Sequence, residues 1–292
     1  LLNKKLAYGG SPEPGHYIFA GNPGTGKTEV ARLMGKILKA QGMLSKGHLV
    51  ECKAADLIAG FTGQTAKNVR AICESALDGV LFVDEAYTLV NTDPAGGAYS
   101  SSFAKDAYEE IMTFMENNRH RICVIFAGYT KEMKQFLNAN AGMERRITKV
   151  IDFPDYDSAE LFEIFQLFAH KEGDGFALSE EFQTEIQKVI NKLSKYSGPG
   201  FGNAGLMRNL FQKSRMQAAK RYIQTRDEDN KYVLLAQDIP EEYNLKFSEE
   251  EYKSAIAHLN ELIGLENVKA TFRRLLNKKL AYGGSPEPGH YI

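Results

Sequence analysis

The 292-residue sequence carries no excess charge of either sign: 36 Lys and Arg stand against 37 Asp and Glu, for a formal charge of −1. Such a balance offers no electrostatic footprint for nucleic acid. Cysteine is scarce. Cys52, Cys73 and Cys123 are widely spaced and form no C-x-x-C, so neither a zinc site nor a disulfide framework is indicated. The six histidines form no H-E-x-x-H. No apolar run approaches the roughly 20 residues that span a bilayer, and no signal peptide opens the chain. A reducing, cytoplasmic setting without membrane or nucleic-acid partners is the expectation. The chain opens on Leu1 rather than Met, and is expected to be a fragment. Its length suits one large or two modest domains.

What is present is a phosphate-binding loop. Residues Gly21, Asn22, Pro23, Gly24, Thr25, Gly26, Lys27 and Thr28 match G-x-x-x-x-G-K-[ST] at every fixed position. The loop follows the apolar run Tyr17–Ala20 and leads, from Glu29, into a stretch with helical spacing. Glycines let successive backbone N–H groups turn toward phosphate oxygens, and the helix N-terminus adds favourable potential. Lys27 would reach the β and γ phosphates of ATP, and the Thr28 hydroxyl would hold Mg²⁺.

A second motif fits the first. Gly79–Val83 is a continuous apolar run, as expected of a parallel strand buried on both faces, and it ends in Asp84-Glu85. An acid at the carboxyl end of such a strand is placed to hold the metal, with Asp84 beside Thr28 in that role. Its neighbour, Glu85, can polarise the attacking water.

Strand and helix patterns alternate, which predicts an α/β fold with an open parallel sheet covered on both faces. The expected strands are Tyr17–Ala20, His48–Cys52, Val80–Val83, Ile122–Ala127 and Val150–Phe153. The expected helices are Gly26–Ala40, Thr65–Leu77, Lys105–Asn117 and Lys131–Asn138. After Pro154 the pattern contains no strand. Asp157-Ser158-Ala159-Glu160 reads as a capping box opening a helix, and two more helices follow, about Glu180–Tyr196 and Asn203–Gln224. The expectation is a nucleotide-binding domain over residues 1–154, an all-helical lid over 155–245, and a last region, 246–292. That last region begins a further module, because residues 275–292 are identical to residues 1–18, at an offset of 274. A tandem array of near-identical modules is the preferred reading, with an artefact of assembly as its rival.

Taken together, these segments resemble an AAA+ ATPase, and more narrowly the CbbX/CfxQ group, which includes red-type Rubisco activases and stage V sporulation protein K-like ATPases. The resemblance rests on G-N-P-G-T-G-K-T (21–28), K-G-H-L-V (46–50), D-L-I-A-G-F-T-G-Q-T (56–65), G-V-L-F-V-D-E-A-Y (79–87), M-E-N-N-R (115–119), A-G-Y (127–129), F-P-D-Y (153–156) and R-N-L-F (208–211). It implies a P-loop NTPase three-layer α/β/α sheet with a helical lid, forming a hexameric ring. Such a ring hydrolyses ATP between subunits and works on a protein client at its pore. By position it implies that Phe61 is a pore-loop aromatic, with an ordinary core phenylalanine as the alternative. It implies an arginine finger at Arg146, with Arg145 in reserve, directed at a neighbour's γ-phosphate. Tyr129 falls where a γ-phosphate sensor is placed, or else serves packing. Relatives usually carry a lid arginine where this chain has Gly205; Arg208, one turn on, is the candidate substitute. Slow hydrolysis is therefore expected. Relatives also cover the adenine with a segment like Leu262–Val268, so the first site is expected to bind weakly unless residues 260–274 fold back over it.

The reading this supports is a ring-forming ATPase, coupling ATP hydrolysis to remodelling or threading of a protein client. Its alternatives are a nucleotide-switched scaffold with slow turnover, or a remodeller of the Rubisco-activase type.

Overall fold

The structure, a computed structural model, describes residues 13–58, 64–90, 98–138, 141–171, 175–195 and 200–243, and beyond these only residues 257, 258, 261, 264 and 269. The chain divides into two compact units, Leu1–Pro154 and Asp155–Ile292.

The first unit is built on five parallel strands: β1 (His16–Gly21), β2 (Leu49–Lys53), β3 (Val80–Asp84), β4 (Cys123–Gly128) and β5 (Ile147–Phe153), in the order β2-β3-β4-β1-β5. Among the described residues, six α-helices accompany them: α1 (Lys27–Ala40), α2 (Ala54–Leu57), α3 (Gln64–Ser75), α4 (Ala98–Asn117), α5 (Thr130–Asn138) and α6 (Ala141–Arg146). Side chains alternate across the sheet. Ile18, Leu81, Val83, Val124 and Phe126 point to one face, where Val69 and Cys73 of α3, Ile111 of α4 and Phe136 of α5 meet them. Phe19, Val80, Phe82 and Ile125 point to the other, and there Ala31 and Leu38 of α1 close the core. Central strands are sealed on both sides. Every residue of β4 is buried, as are the four apolar residues of β3. The edge strand β5 is not: Thr148, Lys149 and Val150 are exposed.

Sequence and structure agree best where burial is greatest. The strands centred on Phe19, Val50, Phe82 and Ile125 lie within a residue of expectation. β5 begins at Ile147, three residues before the expected Val150, because an exposed edge strand tolerates Thr148 and Lys149 and loses its apolar signature. α4 begins at Ala98 rather than Lys105, since Ser100, Ser101 and Ser102 carry no apolar period.

The second unit packs α7 (Ser158–Lys171), α8 (Glu180–Lys195) and α9 (Asn203–Thr225) around Phe165, Phe182, Ile186, Leu210 and Phe211. Its opening is fixed by a reciprocal cap. The Asp157 carboxylate accepts the N–H groups of Ala159 and Glu160, both at 2.8 Å, while Glu160 accepts the N–H of Asp157 at 2.9 Å. The expectation of no strand after Pro154 needs one correction. Ala177–Leu178 (β6) pairs in parallel with Val233–Leu234 (β7). Two residues a side are too short to leave a readable alternation, and the unit remains a helical lid.

Candidate functional site

Because all five strands run parallel, their carboxyl ends share one sheet edge. Lys53 is in register with Asp84, Val83 with Phe126, Ala20 with Gly128 and Gly21 with Phe153. Connections leaving β1 and β4 run to opposite sides of the sheet, and such a switch point opens a crevice where ligands bind. The phosphate loop hangs from β1 at this crevice. Asp84 stands at the same edge, one strand beyond β4.

Within the loop, Gly24 (φ 74°) and Gly26 (φ 88°) occupy the left-handed region, where a side chain would be strained. Gly26 is also the N-cap of α1, and no side chain caps that end. The first N–H groups of the helix are therefore presented to the loop rather than to a neighbouring hydroxyl. Thr25 is buried and its hydroxyl donates to the Asn22 carbonyl at 2.8 Å, closing the loop on itself. The Lys27 ammonium sits inside that turn, donating to the carbonyls of Gly21 (2.9 Å) and Asn22 (2.8 Å). Left-handed glycines, a helix N-terminus without a side-chain cap and one positioned ammonium form a donor set for a polyphosphate. Thr28 follows on the first turn of α1, and Glu29 is exposed beside it.

At the end of β3 the chain turns sharply. Glu85 adopts φ 52°, uncommon for a residue with a side chain, and its N–H donates to Asp84 Oδ1 at 3.0 Å. A 3-10 turn, Ala86–Leu89, follows, and the Thr88 hydroxyl donates to the Glu85 carbonyl at 2.9 Å. Strain held by such bonds at a strand end is a mark of functional sites. Here it directs the Glu85 carboxylate to the open edge, half exposed, 4.0 Å from Lys53 Nζ. No group of three or more His, Cys, Asp or Glu gathers as a metal cage among the described residues. A single carboxylate, Asp84, with the Thr28 hydroxyl suits Mg²⁺, which keeps its waters and takes the remaining oxygens from phosphate. Tyr129 follows β4 directly, and its ring lies 6.0 Å from that of Tyr87.

The two arginines are elsewhere. α6 delivers Arg145 and Arg146 to the start of β5, whose first residue, Ile147, pairs with His16 at the amino end of β1. The phosphate loop lies at the other end of β1, roughly 17 Å away along the strand. Arg145 is exposed. Arg146 is held within its own chain: Nη1 donates to the Gly142 carbonyl at 2.9 Å and Nε lies 3.1 Å from Glu116 Oε2. Nearby, His16 is buried and its Nδ1 accepts the Val124 N–H at 3.1 Å. Burial, reinforced by the Arg146 charge, pushes the His16 pKa down to about 4. Sequence reasoning missed both His16 and Glu116, since nothing local to either signals a partner about 30 or 130 residues away in the chain.

In the lid, Asn203 is the organising residue of the motif around Gly205. Its side chain accepts the Tyr156 N–H at 3.0 Å and donates to Asp155 Oδ1 at 2.8 Å and the Phe201 carbonyl at 3.0 Å. At Gly205 itself, no heavy atom among the described residues outside its own helix lies within 4 Å of where a Cβ would stand. The Arg208 guanidinium stacks over the Phe168 ring at 4.9 Å. Phe61 lies outside the described residues, as do nearly all of residues 260–274 and the whole repeat 275–292.

Comparison with known proteins agrees with this geometry. Residues 17–155 match the AAA model, the ATPase family associated with various cellular activities, and residues 157–249 match the AAA lid domain. Stage V sporulation protein K of Bacillus subtilis is 39% identical over 207 residues, 70% of this chain and 62% of that protein. The CfxQ homolog of Pyropia yezoensis is 36% identical over 212 residues, 72% of this chain and 68% of that protein. The ESX-3 secretion system protein EccA3 of Mycolicibacterium smegmatis is 38% identical over 225 residues, 73% of this chain and 36% of that protein. The chain thus spans under two thirds of some curated relatives it matches. A phosphate loop and an acidic strand end on a 51432-type parallel sheet, an AAA match followed by a lid match, and these relatives lead to one conclusion: the chain belongs to the AAA family of ATPases and is similar to its CbbX/CfxQ and sporulation protein K members.

Proposed function

We propose that this chain is the ATP-hydrolysing module of a ring-forming assembly that remodels or threads a protein client. The observation that carries the reading is the separation of its parts. Lys27, Thr28, Asp84 and Glu85 share the carboxyl edge of the sheet, whereas Arg145 and Arg146 stand at its amino end. An arginine so placed acts only on a second copy's phosphate. In this reading, the loop amides and Lys27 hold the β and γ phosphates, Thr28 and Asp84 hold Mg²⁺, and the metal offsets charge on the phosphate oxygens. Glu85 takes the proton of the attacking water, and its exposed carboxylate at the open edge is suited to that. Arg146 reaches the neighbour's γ-phosphate after leaving Glu116, with Arg145 the exposed second candidate. Phe61 grips the client and Tyr129 senses the γ-phosphate through a water.

The test has two parts. Lys27→Ala abolishes ATP uptake in calorimetry, and Glu85→Gln keeps uptake while hydrolysis falls by roughly 10²–10⁴-fold. Arg146→Ala should likewise lose turnover without losing ATP, and mixing it with Lys27→Ala should restore partial activity, since the intact Arg146 of the Lys27→Ala subunit can serve the intact phosphate loop of the Arg146→Ala subunit. No restoration in the mixture would remove the shared-site reading.

One observation favours a second reading. Gly205 leaves the lid without a charged side chain at that turn, as a nucleotide-switched scaffold with incidental turnover would have it. A scaffold assembles normally as Glu85→Gln and loses no function, whereas a remodeller does.

A further inference from the structure

Helix α1 leaves an apolar stripe bare. Val30, Leu33 and Ile37 recur at three and four residues, the spacing of one helix face, and are 40%, 54% and 55% exposed. The opposite side of the helix seats Ala31 and Leu38 on the sheet. Beside the stripe run Arg32, Lys36 and Lys39, all exposed, with Glu29 the helix's one acid. Three large apolar side chains in register on a single exposed face exceed the scatter of an ordinary surface.

A second stripe exists on α9, where Met216 and Ile223 are 60% and 64% exposed, but its flanks are also basic, with Arg215 and Lys220 exposed. Two basic faces repel, so α9 is a poor partner for α1. The sequence contains a better one. Residues 249–263 read E-E-E-Y-K-S-A-I-A-H-L-N-E-L-I, where Tyr252, Ile256, Leu259 and Ile263 recur at helical spacing and four glutamates face one lysine. Ala257, His258 and Glu261, on the side away from those four, are helical and exposed. An acidic segment with apolar residues at helical spacing complements a basic, apolar-striped helix. The segment stands shortly before residue 275, where the sequence of residues 1–18 begins again. Among the described residues of a single chain, Val30, Leu33 and Ile37 remain exposed.

We propose that residues 249–263 of one copy dock along Val30, Leu33 and Ile37 of α1 in a second copy, with Glu249, Glu250 and Glu251 toward Arg32, Lys36 and Lys39. The contact would tie successive copies together through the helix that carries the phosphate loop. It rests on the repeat and on the two surfaces, not on ATP turnover.

The full 292-residue chain carrying Leu33→Cys and Leu259→Cys tests it. The native Cys52, Cys73 and Cys123 are free and buried, so they leave little background under mild oxidation. Non-reducing electrophoresis should show covalent dimers and longer species, which are lost when Lys36→Glu and Lys39→Glu are added. The single-cysteine parents control for random collision. A cross-link confined to one molecule, no cross-link above the parents, or an equal yield with Met216→Cys in place of Leu33→Cys would each overturn the proposal. A chain that cross-links as expected yet never hydrolyses ATP refutes the proposed function alone.

Discussion

Both units of the molecule set acids against bases, but they do so in opposite ways. In the sheet unit, Asp84 and Glu85 stand at a strand end on an open edge, and Lys53 Nζ lies 4.0 Å from Glu85 with both side chains about half exposed or more. In the lid, the Arg221 and Asp238 side chains are 8% and 1% exposed, with Nε 3.0 Å from Oδ1. Arg221 Nη2 also donates to the carbonyls of Asn230 (3.1 Å) and Val233 (2.8 Å), and Asp238 accepts the Leu235 N–H at 2.8 Å. A sealed pair whose Nε and Nη2 are bonded, with only Arg221 Nη1 buried and without a partner among the described residues, fixes a loop against a helix. A loosely partnered carboxylate at a crevice remains available for chemistry. Charge alone does not separate these roles; burial and the count of partners do.

The contrast can be broken first in the lid. Arg221→Ala should cost the chain about 3–5 kcal/mol in chemical denaturation, because Asp238 is left buried without its counter-charge. A loss below about 1 kcal/mol would make the pair incidental. Next in size is the amino end of the sheet. His16 stays neutral in the fold down to about pH 4, whereas in the unfolded chain it takes up a proton below its ordinary 6.5. The unfolded state then binds more protons, so stability is full above pH 6.5 and falls as pH drops toward 4, by roughly 3 kcal/mol at most. His16→Gln should flatten that part of the stability–pH curve. Removing the lid's cap by Asp157→Ala should cost about 1 kcal/mol. The smallest effect sharpens the comparison most. Gly205→Ala should stabilise α9 by up to about 1 kcal/mol without steric penalty. Gly205→Arg should do the same and in addition raise the ATPase rate, and an arginine variant no faster than the alanine one would end the view that this turn limits hydrolysis.

Much of the fold is legible in the sequence, because a strand buried on both faces must be apolar throughout. β3 and β4 announce themselves, whereas β5, exposed along its outer edge, hides its first three residues among polar ones. The phosphate loop is legible because its geometry demands glycine at fixed places, and Gly24 and Gly26 are where the backbone turns left-handed. The left-handed Glu85 is not legible, since glutamate gives no hint of that conformation. Nor is the ion pair between Arg146 and Glu116, which depends on how α4 and α6 meet. The capping box at Asp157 was readable down to its individual bonds because all its partners lie within three residues.

One feature of the sheet has a mechanical consequence. β1 and β5 are laddered together from His16 and Ile147 to Gly21 and Phe153. The loop that meets phosphate is rooted at one tip of this two-strand beam, and the arginines are rooted at the other. The ladder shifts register once, between His16 and Tyr17 at the arginine end; from Tyr17 to Gly21 the pairing runs unbroken, so a nudge that enters this stretch reaches the phosphate loop with little lost to bending.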